Sequence, residues 1–421
     1  MDDFEPWLLK IKQEVEQEIS DAVGRLQEIE DYNHAKVLRA FKKNRVSEYH
    51  FHGTTGYGYH DSGRAALENV FADVFGTEKA LVRAQIVSGT HAIAMALFGI
   101  LRPGDELICA AGAPYDTLEE VIGIRGQKAG SLRDWGVSYQ EIALNNDGTI
   151  DEHALRQAIS EKTKMVSIQR SRGYSLRPAL TVNNIRSAIE LVHSIRADIV
   201  CFVDNCYGEF VECLEPTDVG ADLMAGSLIK NPGGGLAPMG GYLVGRANLV
   251  DLAATRLTAP GIAAEVGASP IGHRLLFQGL YMAPHVVTEA LKGAVFAAKL
   301  FSNLGFDTTP GYAACRSDII QALILGSEER MVAFCRGLQK FSPVDSHVSP
   351  EPSGMPGYSD RVIMAGGTFV QGSTIELGAD GPLREPFVLY LQGGLAHSHV
   401  KMGVLGAVQE MYNRGLLEYK K

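Results

Sequence analysis

Apolar residues recur at helical spacing from residue 4 to about residue 43, where Leu8, Ile11, Val15, Ile19, Val23, Leu26 and Ile29 interrupt a charged background. The spacing predicts an amphipathic helix whose apolar stripe packs on the main body or on a partner. The stretch 51–64, crowded with Gly, Tyr and His, reads as a loop. From residue 80 to 246 short apolar runs alternate with helical patterns, which predicts a doubly wound, mostly parallel α/β sheet. Strands are expected at 80–87, 106–110, 137–144, 164–170, 199–204, 223–227 and 241–244, and helices at 90–101, 152–160 and 182–195. The near-continuous run Ile199-Val200-Cys201-Phe202-Val203 suits a strand covered on both faces. Residues 273–304 carry a long helical pattern interrupted at Pro284. A second α/β segment follows, with strands at 319–325, 361–365, 374–377 and 387–391, a loop at 343–358 and a closing helix at 399–417. The chain thus divides into an N-terminal helical segment at 1–45, a large domain at 46–290 and a small C-terminal domain at 291–421.

Composition narrows the partners. The chain has 421 residues, enough for two or three domains of roughly 100–200 residues each, and its 46% hydrophobic content argues against long disorder. A net charge of −10 without a clustered Lys/Arg surface excludes a nucleic-acid backbone as the default partner. The start, Met1-Asp2-Asp3-Phe4-Glu5, lacks the basic and apolar regions of a signal peptide, and no uncharged apolar run reaches the length of a bilayer span. Six cysteines without a C-x-x-C spacing suit reduced thiols, so a cytoplasmic protein that binds no membrane is expected. Glycine is the outlier: 46 residues, about 11% against a typical ~7%.

Glycine excess in an α/β chain often serves phosphate binding. Walker A fails here, because no lysine follows Gly235-Leu236-Ala237-Pro238-Met239-Gly240, and Gly56-Tyr57-Gly58 lacks the rest of a dinucleotide fingerprint. What remains is Ser88-Gly89-Thr90, which ends a strand and opens an apolar helix, where free N–H groups and hydroxyls form an anion cradle. Asp204 stands at the carboxyl end of an apolar strand, the sheet edge where ligands bind. Lys230 follows another strand and precedes Gly233-Gly234-Gly235. Each has a plainer reading by itself: an N-cap serine, a turn aspartate, a surface lysine. The pairs His50/His52 and His397/His399 lack completing ligands, so no metal is expected, and His91 at the helix start ranks below Tyr115 as a cofactor contact.

As a set, Ser88-Gly89-Thr90, Asp204 and Lys230 resemble the fold-type I pyridoxal-phosphate enzymes, and among them the cysteine and methionine metabolism lyases. Across nearly the whole chain, including Gly56-Tyr57-Gly58-Tyr59-His60-Asp61-Ser62-Gly63-Arg64 and Ser227-Leu228-Ile229-Lys230-Asn231-Pro232-Gly233-Gly234-Gly235, the likeness is to the aluminium-resistance, methionine γ-lyase-like family. The resemblance implies a seven-stranded, mostly parallel large-domain sheet, a smaller C-terminal α/β domain, and pyridoxal 5′-phosphate as cofactor. It implies Lys230 as Schiff-base lysine and Cα base, and Asp204 against the pyridine nitrogen. Ser88, Gly89, Thr90 and Ser227 would hold the phosphate, and Tyr115 would stack on the cofactor and protonate a leaving thiolate. Tyr59 and Arg64 resemble the pair that a neighbouring subunit lends to the phosphate, which implies a homo-oligomer, a dimer at minimum and a tetramer by family habit. Arg384 is the first choice for the substrate carboxylate, with Arg172 and Arg170 as competitors. Two departures stand out: Ile229 where the lyases carry threonine, and Asp116 where they carry glycine after the tyrosine. The reaction implied is thiol elimination from a sulfur amino acid, of methionine γ-lyase or cystathionine β/γ-lyase type, giving a 2-oxo acid and ammonia. The alternatives are transamination, aldol cleavage or γ-replacement on the same cofactor, or a non-catalytic protein that binds pyridoxal phosphate or metal.

Overall fold

A computed structural model describes residues 4–126, 128–355 and 360–418; part of the expected loop at 343–358 therefore lies outside the described residues. Two helices open the chain, α1 (Pro6–Glu18) and α2 (Ser20–Lys43), where one is expected. The backbone departs from helix geometry at Ile19 (φ −92°, ψ 0°), yet Leu8, Ile11, Val15, Ile19 and Leu26 are all buried along one stripe. Side-chain periodicity reports the buried face and is blind to a one-residue break in the axis.

The large sheet contains β1 (Lys79–Arg83), β2 (Glu106–Cys109), β3 (Ser138–Glu141), β4 (Thr163–Gln169), β5 (Val200–Asp204), β6 (Leu223–Ser227) and β7 (Gly241–Gly245), in the order β1-β7-β6-β5-β4-β2-β3. Only β7 runs antiparallel to its neighbours. Helices α3 (Ser62–Val74), α4 (Gly89–Ile100), α5 (Asp116–Ile122), α6 (Glu152–Ala158), α7 (Val182–Ile195) and α8 (Ala247–Ala254) accompany it. On β5, Cys201 and Val203 join one hydrophobic core and Val200 and Phe202 the other, so the strand is covered on both faces as its apolar run predicts.

Helix α9 (Arg274–Asn303) runs unbroken through Pro284, against the expected interruption. Proline deletes one backbone donor, but both Ala283 and Val287 beside it are buried, and packing of this long face outweighs the local loss. The second sheet is made of β8 (Asp307–Thr309), β9 (Gln321–Ile324), β10 (Val362–Gly366), β11 (Gly378–Pro382) and β12 (Val388–Gln392), in the order β10-β11-β12-β9-β8, with α10 (Glu328–Gln339) and α11 (His397–Asn413).

Two further expectations are corrected. Residues Ser62 to Arg64 are not loop but the first turn of α3, because the Asp61 carboxylate accepts the Arg64 N–H at 2.9 Å and starts the helix. The strand expected at 374–377 forms instead at Gly378–Pro382, a segment whose Gly-Ala-Asp-Gly-Pro composition signals a turn. Pairing with strands on both sides overrides that local preference, and glycine is required: a Cβ on Gly381 would lie 2.5 Å from the Val388 carbonyl oxygen.

Candidate active site

The carboxyl ends of β4, β5 and β6 and one face of the second sheet enclose a cavity of about 750 Å³. Ser88, Gly89, Thr90, Tyr115, Asp204, Ser227 and Lys230, spread over 143 positions of sequence between Ser88 and Lys230, all line it. Arg172 and Arg384 line it too.

Each side chain arrives by a local device. Ser88 caps α4, its Oγ accepting the His91 N–H at 3.0 Å, so the plain capping role holds and the first turn of α4 still faces the cavity. Gly89 packs closely there: an added Cβ would sit 3.2 Å from Cys206 Sγ and 3.4 Å from Ser227 Cβ, a tight fit between those side chains. Thr90 Oγ1 and the Tyr115 hydroxyl share a hydrogen bond of 3.0 Å, and the Tyr115 N–H donates to Gln169 Oε1 at 3.1 Å. His91 is tied back instead, its Nδ1 accepting the Val87 N–H at 3.2 Å.

Asp204 is buried, and its Oδ1 accepts the Cys206 N–H at 3.1 Å. Burial pushes its carboxyl pKa up, with the nearby Lys230 charge pulling the other way. For Lys230 the balance is reversed: burial favours the neutral amine, but Cys206, Tyr207, Asp204 and Tyr115 around it hold its pKa above the usual lysine value. Burial and the Asp204 charge also raise the Tyr115 pKa, so the phenol keeps its proton.

The remaining predicted residues are placed differently. Arg170 is fully buried and committed elsewhere: Nη2 meets Glu212 at 2.8 Å, and Nη1 donates to Asn205 Oδ1 at 2.7 Å and to the Gly208 carbonyl at 2.9 Å. It braces the turn after β5 and does not reach the cavity. Tyr59 and Arg64 do not line the cavity of their own chain. Tyr59 is exposed, its ring 5.6 Å from that of Tyr57, whereas Arg64 is buried and donates to the carbonyls of Gly267 and Glu265 at 2.8 and 3.2 Å. Of the two carboxylate candidates, Arg172 is buried, with Nη1 on the Thr309 carbonyl at 2.9 Å and Nε without a partner. Arg384 is half exposed and meets Asp360 at 3.3 Å.

Sequence reading missed Tyr207, Cys206, Arg177 and Asp380, which also line the cavity. The first two stand within three residues of Asp204, so proximity was the available signal; Asp380 sits on the strand misplaced above. Among the described residues one mixed set of ligand atoms clusters elsewhere, His193, Cys201 and Asp222. The Asp222 carboxylate there already serves the Cys201 N–H at 2.8 Å, His193 at 3.1 Å and Arg246 at 3.3 Å, which accounts for the cluster by hydrogen bonding. No helix among the described residues is long and apolar enough to cross a membrane.

A strand-end aspartate, a lysine beyond the next strand and a capped helix N-terminus on one cavity, over a seven-stranded mixed sheet with a smaller sheet beside it, define a fold-type I pyridoxal-phosphate protein of the Cys/Met group. The fold is shared with cystathionine gamma synthase of Xanthomonas oryzae pv. oryzae, at 17% identity, a TM-score of 0.63, and coverage of 91% of this chain and 99% of that one. The chain belongs to the methionine gamma-lyase family, whose model matches residues 8–412. It is 52% identical to the uncharacterized Bacillus subtilis protein YnbB over 411 residues, 97% of this chain and 98% of that one. A carbon-sulfur lyase involved in aluminum resistance from Clostridium novyi superposes with a TM-score of 0.94 at 46% identity, covering 97% of this chain and 96% of the other.

Proposed function

We propose that this chain is a carbon–sulfur lyase that eliminates a thiol from a sulfur-containing amino acid and yields a 2-oxo acid and ammonia. The observation that carries the reading is the convergence of Lys230, Asp204 and Tyr115 on one cavity beside the N-terminus of α4. The residues fit pyridoxal phosphate: Asp204 is a buried acid suited to a protonated ring nitrogen, and the α4 turn, Thr90 and Ser227 offer donors to a phosphate. Bound there, the cofactor supplies an electron sink for the charge left when the substrate Cα loses its proton.

The side chains divide the remaining work. Lys230 would anchor the cofactor, and its Nζ would take the Cα proton. Asp204, drawn toward its ionised form by the Lys230 charge against the effect of burial, would keep a proton on the ring nitrogen. Arg172, buried and with Nε unpartnered, clamps the substrate α-carboxylate, while Arg384 guards the mouth. When the C–S bond breaks its electron pair stays on sulfur, and Tyr115, which keeps its proton, donates it to the departing thiolate. Water then hydrolyses what remains of the substrate to the 2-oxo acid and ammonia.

We place the protein in the cytoplasm, where its six free cysteines stay reduced. Its working form is a homo-oligomer, at least a dimer. Exposed Tyr57, Tyr59, Val87 and Ile271 on loops pinned together by the Gly267 N–H to Tyr57 carbonyl bond, 2.9 Å, and the Gln85 to Ala268 bond, 2.6 Å, support that reading. The test is a visible spectrum before and after borohydride, with peptide mapping, followed by 2-oxo acid assays on cystathionine, cysteine and methionine. A label on Lys230 and release of thiol with 2-oxo acid are expected; a label on another lysine, or no 2-oxo acid from any substrate, overturns the proposal.

A further inference from the structure

Arg172 stands on the loop that follows β4, yet what holds it lies on the second sheet. The Asp318 carboxylate, buried just before β9, accepts the Ser171 hydroxyl at 3.0 Å and the Arg172 N–H at 3.2 Å on Oδ2, and the Ile320 N–H at 3.1 Å on Oδ1. The Arg172 side chain is fixed from the same side, Nη1 donating at 2.9 Å to the carbonyl of Thr309, the last residue of β8, which pairs with β9. A loop of the large sheet thus takes both its backbone position and its guanidinium from two adjacent strands of the other sheet.

Charge is concentrated at the same point. Arg172 and Arg316 are buried and Arg177 is half-buried. Their hydrogen bonds go to neutral acceptors: Arg316 Nη2 donates to Gln321 Oε1 at 2.6 Å, and Arg177 donates to the Pro178 and Gln169 carbonyls, each at 3.0 Å. Burial lowers the pKa of Arg177 and of Arg316 to about 10; the Asp318 charge opposes that shift in both, and the Arg172 charge adds to it. All stay charged at neutral pH, so one carboxylate both tethers the Arg172 backbone and offsets the repulsion among its neighbours.

We propose that Asp318 is a positioning residue for substrate recognition: it holds Arg172 where the guanidinium meets the substrate α-carboxylate, and so registers the amino acid against the second sheet. The inference rests on the reading of Arg172 as the carboxylate clamp. Asp318 does not line the cavity, and its effect passes through Arg172. Asparagine cannot replace it, because both carboxylate oxygens accept, and an amide nitrogen in either place would turn a donor toward a donor.

The test reads binding. Affinities of the pyridoxal-phosphate-loaded enzyme for L-alanine and L-alaninamide are taken from the change in its visible spectrum. Neither ligand has a sulfur to lose, so the outcome does not depend on thiol elimination, which the 2-oxo acid assays judge separately. In Asp318→Asn the alanine affinity should fall by about tenfold or more, while alaninamide stays within about threefold of wild type. The sign is diagnostic: the Asp318 charge by itself repels a carboxylate, so loss of that charge without loss of position would tighten alanine. Ser171→Ala keeps the charge and removes one bond; an alanine-specific loss of about threefold is expected, and this variant decides by itself if Asp318→Asn does not fold. Tighter alanine binding in Asp318→Asn, an equal loss for both ligands, or no alanine-specific loss in Ser171→Ala overturns the inference and leaves the lyase reading standing. A wild-type enzyme that does not distinguish the two ligands overturns the clamp reading as well.

Discussion

The Lys230 ammonium nitrogen stands 4.0 Å from the centroid of the Tyr207 ring. Tyr207 reaches that position with φ of 72°, a left-handed conformation that non-glycine residues adopt at a cost of order 1–3 kcal/mol. Its ring packs in the apolar cluster of Ile320, Ala322, Val388 and Tyr390 on the second sheet. One side chain therefore fixes the lysine and ties together the two walls of the site, and a cation over a ring is worth about 0.5–2 kcal/mol. Tyr207→Phe keeps the ring and is expected to stay within about threefold of wild-type kcat, whereas Tyr207→Ala should lose tenfold or more. A phenylalanine variant as slow as the alanine one would show that the hydroxyl carries the effect instead.

Tyr115 is held by Thr90 at 3.0 Å and keeps its proton because burial and Asp204 disfavour the phenolate. If it protonates the leaving sulfur, Tyr115→Phe lowers kcat by about 10²-fold or more with little change in KM. Substrates whose thiols are more acidic leave without help, so the defect should shrink across a series of falling thiol pKa. A defect independent of the leaving group would remove Tyr115 from the proton-donor role.

Arg172 and Arg384 differ in burial, and their variants should differ in kind. Arg172→Lys loses the planar fork in a desolvated site and is expected to raise KM by about 30-fold or more. Arg384→Lys, half exposed and already beside Asp360, should change KM by less than about fivefold. Steady-state kinetics on one amino-acid substrate decide between them, and the reverse order would return the clamp to Arg384.

Glu209 lies beneath the site, fully buried, with Oε1 accepting the Tyr242 hydroxyl at 2.7 Å and Oε2 without a partner. Burial raises its pKa from 4.5 to about 8. The fold thus favours the protonated acid, so its contribution to stability is present below the unfolded value and is lost as pH rises through about 8. Glu209→Gln stays neutral throughout. Its urea midpoint should gain on wild type between pH 5 and pH 8.5, by on the order of 1–3 kcal/mol in unfolding free energy. Parallel pH profiles for the two proteins would mean that Glu209 does not titrate in this range.

Arg170 is a structural residue in this reading. Arg170→Met strands Glu215, itself buried, without its 3.5 Å partner and should cost about 3–5 kcal/mol of stability. At a temperature where the variant remains folded, KM should be near wild type; a large rise in KM at full stability would reinstate Arg170 as a ligand.

Most strands of the large sheet were legible as short apolar runs and the helices at 89–100 and 182–195 as periodic ones, with Ser88 and strand-final Asp204 conspicuous at element ends. Lys230 and Asp204 were legible for a related reason: a charged residue following an apolar strand is conspicuous. The break at Ile19, the continuity through Pro284 and the strand at Gly378–Pro382 were not, since each depends on what packs against it from elsewhere in the chain.

Sequence alone therefore pointed to the family, through a resemblance carried by Ser88-Gly89-Thr90, Asp204 and Lys230, whose positions relative to strand ends are set by local order. It could not sort Arg170, Arg172 and Arg384, because three arginines look alike until their surroundings are known. Tertiary structure gave them different surroundings and partners: a buried brace held by Glu212, Asn205 and the Gly208 carbonyl away from the cavity, a buried guanidinium that lines the cavity, and a solvated rim charge. It also brought Asp380 into a cavity assembled from residues hundreds of positions apart. Burial and pairing are properties of the folded neighbourhood, and the affinity of each of these charged groups for a substrate follows from them.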